Sequence, residues 1–113
     1  MVFFKVNNNE YEVYLSSNGV CNIEERTGDS ILNLQSKLGF NTIRLLLWAC
    51  LWEKNKLSVN EIGNLIDAWL IESEDNTFDK LSKIIVDEIK KWTATFNKQQ
   101  PTIKDENSKK NMI

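Results

Sequence analysis

The chain has 113 residues, 42% of them apolar, and a formal net charge of -2. This is enough for one domain with its own core, too little for two, and too apolar for a disordered chain. The acidic balance speaks against a nucleic-acid binder, which carries a basic face, and against electrostatic docking on an anionic membrane.

Residues 2–6 and 11–15 alternate as a β-hairpin does. Val2, Phe4 and Val6 share one face, and Tyr11, Val13 and Leu15 form the matching one. Asn7-Asn8-Asn9-Glu10 makes the connection, because Asn tolerates the positive φ of tight turns. A hairpin alone is marginal in water, so it must pack on helices, and an open edge could pair with a neighbouring subunit. A short helix is expected from about Val20 to Arg26, stopped by Gly28. Asp29 or Ser30 then caps a second short helix, with Ile31, Leu34 and Leu38 at spacings of three and four and Gly39 closing it.

From about Asn41 to Lys54 the pattern is apolar almost all round. Ile43, Leu45, Leu46, Leu47, Trp48, Ala49, Cys50, Leu51 and Trp52 leave no polar face, and Arg44 and Glu53 mark where the segment reaches water. Such a helix must be covered on several sides. Ser58-Val59-Asn60-Glu61 is a capping box that starts a helix to about Ile71, with Ile62, Leu65, Ile66, Trp69 and Leu70 on one stripe. Glu72 to Asp75 reads as an acidic linker. Asn76 or Thr77 caps the last helix, to about Asn97, whose stripe is Phe78, Leu81, Ile85, Ile89, Trp92 and Phe96 with Ile84 beside it. Residues 99–113 are polar, contain Pro101, and are expected to be disordered. The fold class expected is therefore mainly α: a single domain over residues 1–98, with a small N-terminal β-hairpin and about five helices, and a polar tail.

The longest apolar run, Leu45 to Trp52, falls far short of the ~20 residues that span a bilayer. With no apolar leader either, a cytosolic location is expected. Cys21 and Cys50 form no CxxC pair and read as two reduced, buried thiols. There is no histidine, so the commonest neutral-pH base and the commonest zinc ligand are both missing. The glycines are scattered, with no phosphate loop and no nucleophile elbow. Glu24-Glu25 and Asp87-Glu88 are neighbours that point about 100° apart on a helix, so neither pair is an acid–base dyad. Glu72, Glu74 and Asp75 lack the glycine and terminal glutamate of a calcium loop. These absences point to a binding protein without cofactor or metal rather than an enzyme.

The aromatic residues suggest what does the binding. Trp48, Trp52, Trp69, Trp92 and Phe96 all fall on apolar faces, and core packing is the ordinary use of such residues. A stripe only partly covered within one chain would instead offer a groove to a partner, since interface hot spots are rich in Trp. The last helix is the candidate, with Ile85, Ile89, Trp92 and Phe96, together with Trp69, as the protein-binding set.

Ile23-Glu24-Glu25-Arg26-Thr27-Gly28, then Arg44-Leu45-Leu46-Leu47-Trp48-Ala49-Cys50-Leu51, then Leu57-Ser58-Val59-Asn60-Glu61-Ile62-Gly63-Asn64-Leu65-Ile66-Asp67 form an ordered series. With the N-terminal strand pair, this order over about residues 1–92 resembles the tail assembly chaperones of siphophages and gene transfer agents. The resemblance implies a protein that binds the long tape measure protein, keeps its helical apolar surface soluble, and helps tail tube subunits polymerise around it. It also implies self-association, work in the cytoplasm of the bacterial host, absence from the finished virion, and in many phages a longer frameshifted product. It carries no catalytic residues. The competing reading is a small regulatory, antitoxin- or repressor-like binder linked to nucleic acid, with a helix-turn-helix over Asn41–Ile71 turning at Asn55–Leu57. Its second helix would carry Glu61, Asp67 and Glu72 and no cation, so it would approach phosphates at an electrostatic loss.

Overall fold

In the computed structural model, which describes the backbone of residues 2–99 and side chains as far as Thr95, the hairpin forms first in chain order. Strands β1 (Val2–Val6) and β2 (Asn9–Val13) pair antiparallel, with Val2 opposite Val13 and Val6 opposite Asn9. The turn is two residues rather than the four expected. Asn7 and Asn8 both take positive φ, 50° and 70°, which matches the twist of the strands and leaves Asn9 and Glu10 free to pair. Phe4, Val6 and Val13 turn inward, and Leu15, just past the strand, is also buried.

Helix α1 (Ser17–Thr27) starts three residues before the expected Val20. Ser16 caps it, its hydroxyl accepting from the Gly19 N–H at 3.0 Å. Gly28 ends it at φ 74°, where its N–H donates to the Glu24 carbonyl. Helix α2 (Ile31–Gln35) is capped by Ser30, which accepts from Asn33 N–H. Glu24 reaches across from α1 to accept the Ile31 N–H at 2.9 Å, so one of the paired glutamates joins two helices. Asp29 accepts from Asn33 and lies 3.0 Å from Lys37; these partners hold its carboxyl below the usual range. The helix stops at Gln35, not at Gly39. Leu38 therefore leaves the apolar stripe and is exposed, and Gly39 caps the following helix instead of closing this one.

Helix α3 (Phe40–Trp52) runs through the middle of the molecule, touching α1, β2 and two later helices, α4 (Val59–Glu72) and α5 (Phe78–Gln99). Ile43, Leu46, Leu47, Ala49 and Leu51 have no exposed surface at all. Burying each leucine is worth roughly 1.5–3 kcal/mol. The C-terminal carbonyls of this helix, which lack partners within it, are satisfied from outside. Cys50 accepts from Tyr14 N–H, Leu51 from Asn55 N–H, and Trp52 from the Lys56 ammonium.

The capping box at α4 forms as its sequence requires. Glu61 N–H donates to Ser58 Oγ at 3.1 Å, and Ser58 N–H donates to Glu61 Oε1 at 2.8 Å. Glu72 belongs to the end of this helix and accepts the Asn7 N–H at 3.0 Å, tying α4 to the hairpin turn. Thr77 caps α5 by accepting from Lys80 N–H, while Asn76 turns back to donate to the Trp69 carbonyl at 2.8 Å. Leu81, Ile85 and Ile89 of α5 close the core. Among the described residues the architecture is the expected one, five helices with a two-stranded N-terminal hairpin. Of the tail expected over residues 99–113, Gln99 is the last residue of α5, and the rest lies outside the described residues.

Gly19 marks the crossing of α1 and α3: a Cβ there would run into the Ala49 carbonyl oxygen, which is backbone and cannot turn aside. Gly19→Ala is expected to lower stability by roughly 1–3 kcal/mol through overpacking, against the gain of about 1 kcal/mol that alanine brings to an ordinary helix position. Ser58→Ala, which removes half of the capping box, is expected to lose about 1 kcal/mol. Urea midpoints followed by far-UV circular dichroism test both, and an unshifted midpoint for Gly19→Ala would contradict the close contact of the two helices.

Candidate functional site

One edge of α3 escapes full burial. Phe40, Arg44, Trp48 and Trp52 recur every fourth residue and so lie in a row along the helix, and Lys56 continues the spacing past its end. Phe40 is 70% exposed and stacks obliquely on Phe78, ring centres 4.5 Å apart. The indoles are half-buried. Trp48 donates its Nε1–H to the Leu57 carbonyl at 3.0 Å, which fixes its ring. The Arg26 guanidinium of α1 lies 5.5 Å from the centre of Trp48, and the Lys56 ammonium lies 3.8 Å from that of Trp52.

The row forms one wall of a groove, and the loop after α3 together with α4 forms the other. Near the indoles is an open hollow of about 640 Å³ lined by Arg26, Arg44, Trp48, Trp52, Lys56 and the residues from Leu57 to Glu61. Toward Phe40 is a second hollow of about 610 Å³, lined on the α4 side by Asn60, Gly63, Asn64, Ile66 and Asp67. Arg44 and Asn60 border both hollows, so the two adjoin, and together they are called the trough beside α3 and α4. Gly63 sets how Arg44 lies: a Cβ at that position would come within 3.3 Å of Arg44 Cδ. Arg44 Nη2 donates to Asn41 Oδ1 at 2.8 Å, and Nε is buried with no hydrogen-bond partner among the described residues.

This is not the surface that the sequence pointed to. Ile85 and Ile89 have no exposed surface, and Trp69 has 6%, its ring 5.3 Å from that of Phe4. The stripe of α5 is buried as far as Ile89 and packs with α3 in the core, so those residues are not exposed as a groove in this chain. Trp92 is half-buried against the same core, and the Phe96 side chain lies outside the described residues. What sequence reasoning missed was the four-residue spacing of Arg44, Trp48, Trp52 and Lys56. That signal was present, but the surrounding leucines and isoleucines concealed it. Arg26, from a different helix, had no local signal.

The acidic and thiol groups divide differently from expectation as well. Glu88 is 6% exposed despite its charge. Its Oε2 accepts the Leu15 N–H at 3.1 Å, and Oε1 lies 3.1 Å from the Lys91 ammonium. Cys50 is buried, and desolvation together with the nearby charge of Glu88 pushes its thiol far above the usual range. Cys21 is exposed on α1, not buried as its neighbours suggested, because it lies off the Val20–Ile23 face that packs inward. Among the described residues, no three Cys, Asp or Glu side chains lie together as a metal-binding group, and no helix is long and apolar enough to cross a membrane. Compared with known proteins, the chain matches no family model, no curated protein and no solved structure.

The thiols give a direct check on this placement. Ellman's reagent is expected to titrate Cys21 quickly in the native protein, and Cys50 only after denaturant is added. Two fast thiols without denaturant would show that the end of α3 is open to solvent.

Proposed function

We propose that this protein is a phage tail assembly chaperone, which acts by binding and not by catalysis. It would hold the helical tape measure protein in soluble form in the host cytoplasm and assist tail tube subunits to polymerise around it. The observation that carries the reading is the order of motifs along the chain: strand pair, Glu-Glu-Arg-Thr-Gly helix end, apolar Leu-Trp-Ala helix, and Ser-x-x-Glu helix start. The hollows between α3 and the loop and helix that follow it support the reading as well, because a groove beside a helix is an ordinary seat for an amphipathic helix. A chaperone must also release its client. A shallow, partly polar trough suits contacts that form and break readily, in contrast to a deep apolar pocket.

Co-expression with the tape measure protein of the same tail gene cluster tests the proposal. The expected outcome is a soluble complex that co-purifies, with the tape measure protein insoluble when expressed alone. A tape measure protein equally soluble with and without this partner, and never retained by it, would defeat the proposal.

A further inference from the structure

From the charge pattern of the α3–α4 trough, we infer that it docks an acidic helical segment of a partner protein. The inference takes the helical nature of the partner from the function proposed above, and the chemistry of recognition from the trough itself. The chain is acidic overall, yet its only two arginines, Arg26 and Arg44, come together with Lys56 in the hollow beside the indoles. The single carboxylate in that lining, Glu61, is already committed to the Ser58 N–H. Three cations against one carboxylate therefore leave this hollow net positive around two indole rings. The indoles supply apolar contact for the rest of the visiting helix.

The same observations favour a peptide over a nucleic acid. One face of each ring is already taken by a cation, Arg26 on Trp48 and Lys56 on Trp52, which leaves less ring for bases to stack on. A phosphate chain continuing along the trough would meet Asp67 in its second half. Discrete carboxylates on one edge of a helix can engage the cationic half alone.

Nitrogen-15 spectra of the full chain test this directly, because each of the four tryptophans gives a separate indole N–H signal. The probe is a short synthetic amphipathic helical peptide with glutamates repeated along one edge; its glutamine twin and an oligothymidylate serve as comparisons. The Trp48 and Trp52 signals are expected to shift with the glutamate peptide while Trp69 stays in place. Affinity is expected to fall at least about tenfold for the glutamine twin, and again for Arg26→Gln and Arg26→Gln/Lys56→Gln. Stationary Trp48 and Trp52 signals, equal binding of the two peptides, or tighter binding of the oligothymidylate at these rings would each overturn the inference. Tape measure capture that survives the double substitution would also overturn it while leaving the chaperone reading standing. Selective peptide binding without tape measure capture would support the trough's chemistry and count against that reading.

Discussion

Helix α3 cannot meet water on most of its surface, and that constraint arranges everything else. Its leucines, isoleucine, alanine and cysteine point in nearly every direction, so no single neighbour can cover it. The fold answers with α1 on one side, α4 and α5 on others, and the strand exit near its C-terminal end. Close approach at Gly19 and full burial of Ile85 and Ile89 are consequences of the same demand. Apart from Asn41 and Thr42 in its first turn, the edge left partly uncovered is the row from Phe40 to Trp52, and this is where the trough lies. The proposed binding surface is thus the remainder of a packing problem, made tolerable to water by Arg44 and by the cations that lie over the indoles.

The second constraint is polar. The chain crosses from the hairpin to α1 through Tyr14, Leu15 and Ser16, the last two of them buried. A buried crossing needs partners for its backbone groups. Tyr14 N–H finds the Cys50 carbonyl, Leu15 N–H finds Glu88, and Ser16 turns its hydroxyl to the start of α1. Glu88 therefore does what a strand neighbour would do in a larger sheet, at the cost of burying a charge that Lys91 only partly compensates. The same charge, close to Cys50, makes that thiol still harder to ionise and so chemically quiet.

Much of this was legible in the residues because the relevant physics is local. The capping box at Ser58, the glycine stop at Gly28, the Thr77 cap and the apolar density of α3 each act within a few positions of where they are written. The failures share the opposite property. Gly39 could end one helix or begin the next, and only the packing of α3 decides between them. The hairpin turn depended on register, which the inward faces of Phe4 and Val13 fix once there is a core to face. Glu88 read only as half of a carboxylate pair that makes no dyad, because its partner is 73 positions away in the chain. The α5 stripe read as a binding face because its cover, α3, cannot be assigned from periodicity. The trough combines both cases: its α3 wall was written at a spacing of four, but Arg26 joins it only through the tertiary fold.

The attachments of the hairpin bear on how the molecule is made. Phe4 leans on Trp69, Asn7 is held by Glu72, and the strand exit is held by Glu88 and the Cys50 carbonyl, so the first sixteen or so residues are secured by groups in the last three helices. Strands this short do not hold together unaided. On a ribosome the hairpin emerges before its supports, so its greasy side stays uncovered until α3 and α4 have followed, and its exit is fastened only when Glu88 of α5 arrives. A nascent chain truncated before Glu88 would keep Trp69, Glu72 and the Cys50 carbonyl as anchors for the hairpin, but would leave the buried Leu15 N–H without its acceptor.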